Sequence, residues 1–293
     1  MNGDMRAMVA ADVPALVALD AAAAGAPEAR NPEFVRLALA RNPEGCFVIT
    51  QASTVRAGCC THAAGPVGVI TLLLAQPGAE ADTQLAALLC HAVDALGTRH
   101  ATCLMHAAHD AHQHDLVLIR GGLQVVEPVF VLRRALAATP ATTRAPQSTK
   151  NVVWEDQCNV GAYGAELEQA QLGKLLRLQG DAGDYGVAVI ELAARKQGGA
   201  ATAAFVSAGS VVRGLGCGAL LDALDGAARI AQQHGRTQLF CTLNGFYHRE
   251  LMALVGQEWQ VVRTVQRWVV SKTIARYKQW LMQPQVDFSY WSL

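Results

Sequence analysis

Val211-Val-Arg-Gly-Leu-Gly-Cys-Gly-Ala-Leu-Leu221 is the stretch on which the reading of this chain turns. It passes from an apolar run of strand character into an amphipathic helical pattern. Three glycines in five residues let the backbone turn sharply and bring several N–H groups close to a ligand. A helix that starts there adds the partial positive charge of its N-terminus, so the segment predicts an anion site, typically for a phosphate.

Two phosphate loops compete for these residues. Gly214-x-Gly216-x-x-Ala219 fits a degenerate dinucleotide fingerprint, which requires an acidic residue about 20 positions on, at the end of the next strand. That neighbourhood holds His234, and the strand expected over Thr237 to Leu243 carries no acid. Arg213-x-x-Gly216-x-Gly218 instead resembles the Q/R-x-x-G-x-G/A pyrophosphate loop of the GNAT acetyltransferase superfamily, including the Ala-Leu-Leu that follows. The flanks agree with this second reading. A strand, the loop, a helix through Gln233, a strand ending near Asn244, a short helix over Arg249 to Val255 and strands near Gln260 to Val270 follow in that order, with Gly256 twelve residues after Asn244.

Further outward, Tyr185 to Leu192 and Ala201 to Val206 read as strands, Tyr163 to Leu178 as a helix, and Val152 to Trp154 as a strand. Ahead of these, residues 137–150 hold two prolines among small polar residues and no apolar periodicity, which suits an exposed connector. The first half has a similar order. Met5 to Val9 reads as a strand, Asp12-Val-Pro14 opens a helix, and a second helix follows Asn31-Pro32. Cys46 to Thr50 and Val67 to Leu74 read as strands, with a loop carrying Cys59, Cys60 and His62 between them. A helix over Thr83 to Leu96 leads to a strand over Ala101 to His106.

A shift of 136 residues places Leu85, Ala87, Leu88 and Ala92 on Leu221, Ala223, Leu224 and Ala228, His112 on His248, and Gln124-Val-Val126 on Gln260-Val-Val262. The expected elements align as well, which points to an internal duplication. Strands alternating with helices give an α/β class with a mixed sheet covered by helices, and the resemblance implies two GNAT-like domains, each a mixed, mostly antiparallel sheet flanked by helices. Their boundaries are 1–136, a linker at 137–150, a second domain at 151–271 with the glycine loop, and an aromatic tail at 272–293.

Composition limits the partners. Basic and acidic residues number 24 each, so no net field draws in nucleic acid or a membrane surface. The first residues lack a basic region followed by an apolar run, and no apolar stretch is long enough to span a bilayer, so a cytoplasmic location is expected. Eight scattered cysteines without a CxxC pair read as reduced, mostly buried thiols.

The resemblance implies acyl-CoA, acetyl-CoA first, as cosubstrate. Residues Arg213, Gly214, Leu215, Gly216, Cys217, Gly218 and Ala219 would cradle its pyrophosphate, the preceding strand around Val206 would pair with the pantetheine arm, and Asn244 would lie beside it. Two departures stand out. Many members carry a tyrosine seven residues after the asparagine as general acid, where this chain has Leu251. In the first half, the positions that the repeat sets on the loop read Pro77-Gly-Ala-Glu-Ala-Asp82, whose two carboxylates oppose a pyrophosphate.

Amine acylation needs a group to take a proton and a way to stabilise the thioester oxyanion. Glu191, Tyr247 and His248 are the candidates, with Tyr185 behind them; each residue type serves as readily on a surface or in a core. Cys217 and Cys241 read as packing residues. His106, His109, Asp110, His112, His114 and Asp115 have metal-ligand types, but their place after a strand suits a solvated loop and helix start, and no metal is expected. The tail rings Tyr277, Trp280, Phe288, Tyr290 and Trp291 are too many for open water and should cover the interdomain seam or a homodimer contact, or act as a lid. The expected function is an N-acyltransferase for a small amine or amino-acid-like acceptor, by direct attack in a ternary complex. The alternatives are a non-catalytic GNAT-like binding or scaffold protein and, third, a nicotinamide enzyme.

Overall fold

A computed structural model describes residues 3–23, 31–64, 67–97, 100–107, 112–136, 155–181, 183–194 and 202–288. The connector 137–150 and the strand expected over 152–154 lie outside them. The first half runs β1 (Asp4–Ala7), α1 (Val13–Ala23), α2 (Pro32–Arg41), β2 (Phe47–Gln51), β3 (Thr54–Ala64), β4 (Val67–Ala75), α3 (Ala81–Leu96), β5 (Ala101–Ala107), α4 (His112–Arg120) and β6 (Leu123–Ala135). The second runs α5 (Glu155–Gln169), β7 (Gly173–Gly180), β8 (Gly183–Glu191), β9 (Ala203–Val212), α6 (Cys217–Gln233), β10 (Gln238–Asn244), α7 (His248–Val255) and β11 (Gln260–Val270), and then α8 (Ile274–Leu281) and β12 (Gln285–Asp287).

Local signals account for several of these elements. Asn31 caps α2 by accepting the Glu33 N–H at 3.0 Å, Pro32 sits inside the first turn, and Arg41 closes the last turn near the carbonyl end. Two elements differ from expectation. The loop assigned to Cys59, Cys60 and His62 is strand β3, joined to β2 by a two-residue turn at Ala52 (φ 47°) and Ser53 (φ 64°). Hairpin turns of this hand are normally signalled by Asn-Gly, and Ala-Ser carries no such signal. The helix expected to run to Leu178 stops at Gln169, because Gln171 takes a left-handed φ of 57° and turns the chain into β7. Lys174 to Leu178 fits helical and strand periodicity about equally over so short a run.

The described strands join one sheet in the order β1-β2-β3-β4-β5-β11-β6-β10-β9-β8-β7, with β12 added on β9. The order reveals a reciprocal exchange. Strand β6 from the first half pairs with β10 of the second, while β11 from the second pairs with β5 of the first. The two exchanged strands run antiparallel to each other at the centre. Val129 faces Val265, its own equivalent 136 residues on, and Pro128↔Gln266 mirrors Phe130↔Thr264. The two register shifts, at Val261/Arg263 and Arg267/Trp268, are related in the same way. The pseudo-twofold axis therefore passes through the Val129/Val265 pair.

The exchange reaches the cores. Leu132 of β6, fully buried, packs among Leu239, Cys241, Val206 and Leu224 in the second half. Its equivalent, Trp268 of β11, packs with Leu85, Leu88 and Leu118 in the first. Each half is thus closed by a large apolar side chain that the other half supplies. Burying such a side chain contributes about 1.5–3 kcal/mol, and here that energy links the halves.

A bulge shapes both halves alike. β8 pairs with β9 on either side of Ser207, which is left over in the register, and Thr71 is left over between β3 and β4 at the equivalent place. The Ser207 hydroxyl donates to the Val189 carbonyl (3.5 Å) and the Thr71 hydroxyl to the Cys60 carbonyl (3.2 Å). Bulges bend a strand and increase its twist. Beyond each bulge, the parallel neighbour is lost. β10 follows β9 only from Gln238↔Ala203 to Phe240↔Phe205, and β5 follows β4 only from Val67↔Ala101 to Ile70↔Leu104.

Candidate functional site

The glycine loop lies where β9 ends above the splay. After Val212, a 3-10 turn over Arg213–Leu215 leads to Gly216, whose φ of +66° and ψ of −162° head α6. An L side chain is strained at that φ, so glycine is required by the backbone itself. A Cβ at Gly214 or Gly216 meets nothing within 4 Å, so the loop is open to an incoming group. No side chain caps α6, and its first-turn amides, Cys217, Gly218 and Ala219, have no carbonyl within the helix to bond. The amides of Arg213 and Gly216 are engaged by the chain, Gly216 on the Arg213 carbonyl at 3.0 Å and Arg213 on the Pro284 carbonyl at 2.9 Å. The amides that could meet an anion thus narrow to the helix end. Arg213 adds a cation beside it, with its guanidinium 5.0 Å from the Phe246 ring centre and 5.7 Å from that of Tyr247. Cys217 is half-buried with its thiol against the Arg249 carbonyl, and Leu215 packs on the core. Val206 is fully buried beneath α6, so only its backbone faces along the sheet plane.

The splay between β9 and β10 is filled by the tail. β12 pairs antiparallel with β9 from Gln285↔Val212 to Asp287↔Ser210, and the Phe288 N–H continues the ladder onto the Gly209 carbonyl at 3.0 Å. Phe288 is fully buried on Gly209, where a Cβ would meet its ring at 2.3 Å. On the other side of β12 stands Tyr247, whose hydroxyl donates to the Gln285 carbonyl (3.5 Å) and accepts the Asp287 N–H. Burial, and next the Asp287 carboxylate, push the Tyr247 hydroxyl up and keep it protonated.

Asn244 ends β10 in a buried polar knot. Its side-chain oxygen accepts the Phe246 N–H at 2.7 Å, and its nitrogen donates to Glu127 and, at 3.2 Å, to the Tyr277 hydroxyl. Arg267, only 2% exposed, donates to the same hydroxyl at 3.0 Å and lies 3.9 Å from the Glu127 carboxylate. Burial raises the Glu127 carboxyl above its ordinary range against the opposing pull of Arg267, Tyr277 and Asn244. The amide that the resemblance sets beside pantetheine is thus tied to its neighbours. Glu127 and Arg267 escaped sequence reasoning because they face each other only across the exchanged strands.

The other candidates scatter. Glu191 pairs with Phe205, at the opposite end of β9 from the loop, roughly 25 Å along the strand at 3.3 Å per residue. It is buried and takes a hydrogen bond from Tyr163 at 3.2 Å, in a seam where Arg41 bonds Glu166 at 2.7 Å and His62 is pushed down to about 3 by burial and by Arg41. Glu191 thus bonds α5 from β8, beside the seam where α5 meets α2 and away from the loop. Tyr185 is buried under α6, raised by burial and by Asp222. His248 is exposed at the start of α7, Leu251 packs partly on the core, and Cys241 is fully buried. The side chains of 101–114, including most of the histidine run, lie outside the described residues, and among the described residues no cluster of metal-binding groups occurs. Of the tail, Tyr277, Trp280 and Leu281 pack on Val67, Val69 and Val269, a face built from both halves, while Tyr290 and Trp291 are not described. No described helix is long and apolar enough to cross a membrane.

No protein-family model matches the chain, and no curated protein does. Solved structures do. A candidate acetyltransferase from Pyrococcus horikoshii aligns at 12% identity with a TM-score of 0.63, covering 92% of this chain and 91% of that one. A tandem GNAT protein from the clavulanic acid biosynthesis pathway aligns at 13% identity and 0.59, covering 91% and 97%. A GCN5-related N-acetyltransferase from Sphaerobacter thermophilus aligns at 15% and 0.58, covering 91% and 94%. At these identities the likeness is one of architecture, extending over nearly the full length of this chain and of each neighbour: the chain has the GNAT fold.

Proposed function

We propose that the chain is an acyl-CoA-dependent N-acyltransferase, with acetyl-CoA as cosubstrate and a small amine or amino-acid-like molecule as acceptor. The observation that carries this reading is the open glycine loop at the head of α6, set at the mouth of a splayed parallel strand pair. Uncapped helix amides and Arg213 fit a pyrophosphate. From there, an extended arm has one course, along the β9 edge that β10 leaves, since β8 covers the other edge and α6 covers one face.

The amine nitrogen attacks the thioester carbonyl carbon, a C–N bond forms, the C–S bond breaks, and the thiolate takes up a proton while the nitrogen loses one. Tyr247, beside this course and held protonated by burial, is the donor to the departing sulfur in this reading. His248, exposed next to it, is the candidate acceptor of the amine proton. Tyr247 would then do the work of the tyrosine that Leu251 replaces.

Calorimetric titration tests the site. Gly214 has open space and an ordinary φ, so Gly214→Glu sets a carboxylate in the loop without backbone strain. Loss of acetyl-CoA binding in the variant supports the reading, and an unchanged affinity overturns it. A second reading, a non-catalytic GNAT-like protein, is favoured by one observation, the tail strand in the splay. Binding without thiol release across an amine screen would select it.

A further inference from the structure

We infer that residues 284–288 are an internal strap that occupies the acyl-arm course, so that the protein is autoinhibited and cosubstrate entry requires the strap to leave β9; this rests on the acyl-CoA reading above. Three observations carry it. The first is position. β12 lies on the stretch of β9 edge that β10 abandons, from Ser210 to Val212, and ends where the Arg213 amide bonds Pro284, at the threshold of the glycine loop. An arm anchored at the head of α6 and running along that edge would need the same backbone groups. Both cannot be bound at once.

The second is completeness. Pro284 accepts from Arg213 and Phe288 donates to Gly209, so this edge of the strap is satisfied by β9. The opposite edge is met by the side chain of Tyr247, which takes the Asp287 N–H and returns its own hydrogen to the Gln285 carbonyl. The residue read above as proton donor is therefore the latch of the strap, and the same motion that opens the course uncovers its hydroxyl. The third is fit at the far end. Phe288 seats its ring on Gly209, where any side chain would expel it.

Val286 and Phe288 are buried in the core, and Gln285 and Asp287, which alternate with them, are buried as well, at 2% and 9% exposure. A strap docked most of the time lowers the affinity for any competing ligand by the fraction of molecules that are open.

A reversible lock tests this on a folded chain. Asp287 and Ser210 are cross-strand partners flanked by the bonded pairs, the geometry in which Cβ atoms come closest. In the double variant Ser210→Cys, Asp287→Cys, acetyl-CoA and 3′-phospho-ADP are titrated in the oxidised and reduced states. The second ligand has the pyrophosphate but no acyl arm. The expected result is an unchanged affinity for 3′-phospho-ADP in both states, with acetyl-CoA bound at least tenfold more tightly when the lock is reduced. Phe288→Ser, with no lock, should tighten acetyl-CoA binding over wild type by a similar factor. Equal acetyl-CoA affinity in the locked and open states overturns the strap while leaving the acyl-CoA site in place. Failure of both ligands to bind in either state overturns the site and the strap together.

Discussion

If the exchanged strands close each other's cores, a cavity made in one half by a residue of the other should weaken the whole molecule. Leu132→Ala is the sharpest case. Leu132 belongs to β6, in the first half of the chain, and is fully buried among Val206, Leu224, Leu239 and Cys241 of the second. A buried leucine cut to alanine costs about 2–5 kcal/mol, and close packing against sheet and helix leaves little room for collapse, so about 3 kcal/mol is expected. At about 1.4 kcal/mol per decade, that lowers the protection of globally exchanging amides roughly a hundredfold. Hydrogen exchange read by mass spectrometry resolves the halves. Amides of β10 and α6 should lose this protection, and so should those of β2, β3 and α3, which Leu132 does not touch. Loss confined to the second half, with β2 and β3 unchanged, would refute the mechanical coupling and restore two independent domains. Trp268, the equivalent residue, gives the reciprocal test, since Trp268→Ala should lower protection in the second half as well.

Other consequences follow from the polar groups. Arg267→Met leaves the Glu127 carboxyl buried without its cation, a loss of about 3–5 kcal/mol at neutral pH if the charge persists. Because the folded carboxyl is raised above 4.5 and would be raised further, the folded state holds the proton more tightly. The variant's stability should therefore fall as pH rises from about 4.5 through the raised value; urea midpoints that do not move with pH across that window would count against the knot. Asp12 behaves in the opposite sense: Arg6 binds both its oxygens at 2.7 Å and holds it below 3.8, so its contribution is present above about pH 4 and vanishes as pH falls through the lowered value. With Arg6 half exposed, Asp12→Asn should cost about 1–2 kcal/mol at pH 7 and little at pH 2, measured by thermal melts. Tyr247→Phe should lower kcat by about 100–10,000-fold without weakening acetyl-CoA binding, because in the proposed reading the same hydroxyl donates to sulfur and latches the strap. Equal loss of turnover and binding would count against both roles.

Local elements whose chemistry is written in neighbouring residues could be read directly from the chain. Asn31-Pro32 announces α2, and Gly214-x-Gly216-x-Gly218 announces a sharp turn into a helix start, because capping and positive φ are properties of a few adjacent positions. The 136-residue offset was legible too, since a duplicated chain keeps its periodicity. Turns without glycine, at Ala52-Ser53 and Gln171, were not legible, because pairing partners hold those residues in left-handed conformations that their own types do not request. Only the tertiary structure decided which strand lies beside which. β6 and β11 share Gln-Val-Val at equivalent positions, and the choice between self-pairing and exchange depends on contacts far apart in the chain. The same holds at the site. Glu127 meets Asn244, Phe288 meets Gly209, and β12 meets β9 only after the chain has folded back, because hydrogen-bonding edges and buried seats belong to the assembled sheet and not to any stretch of residues.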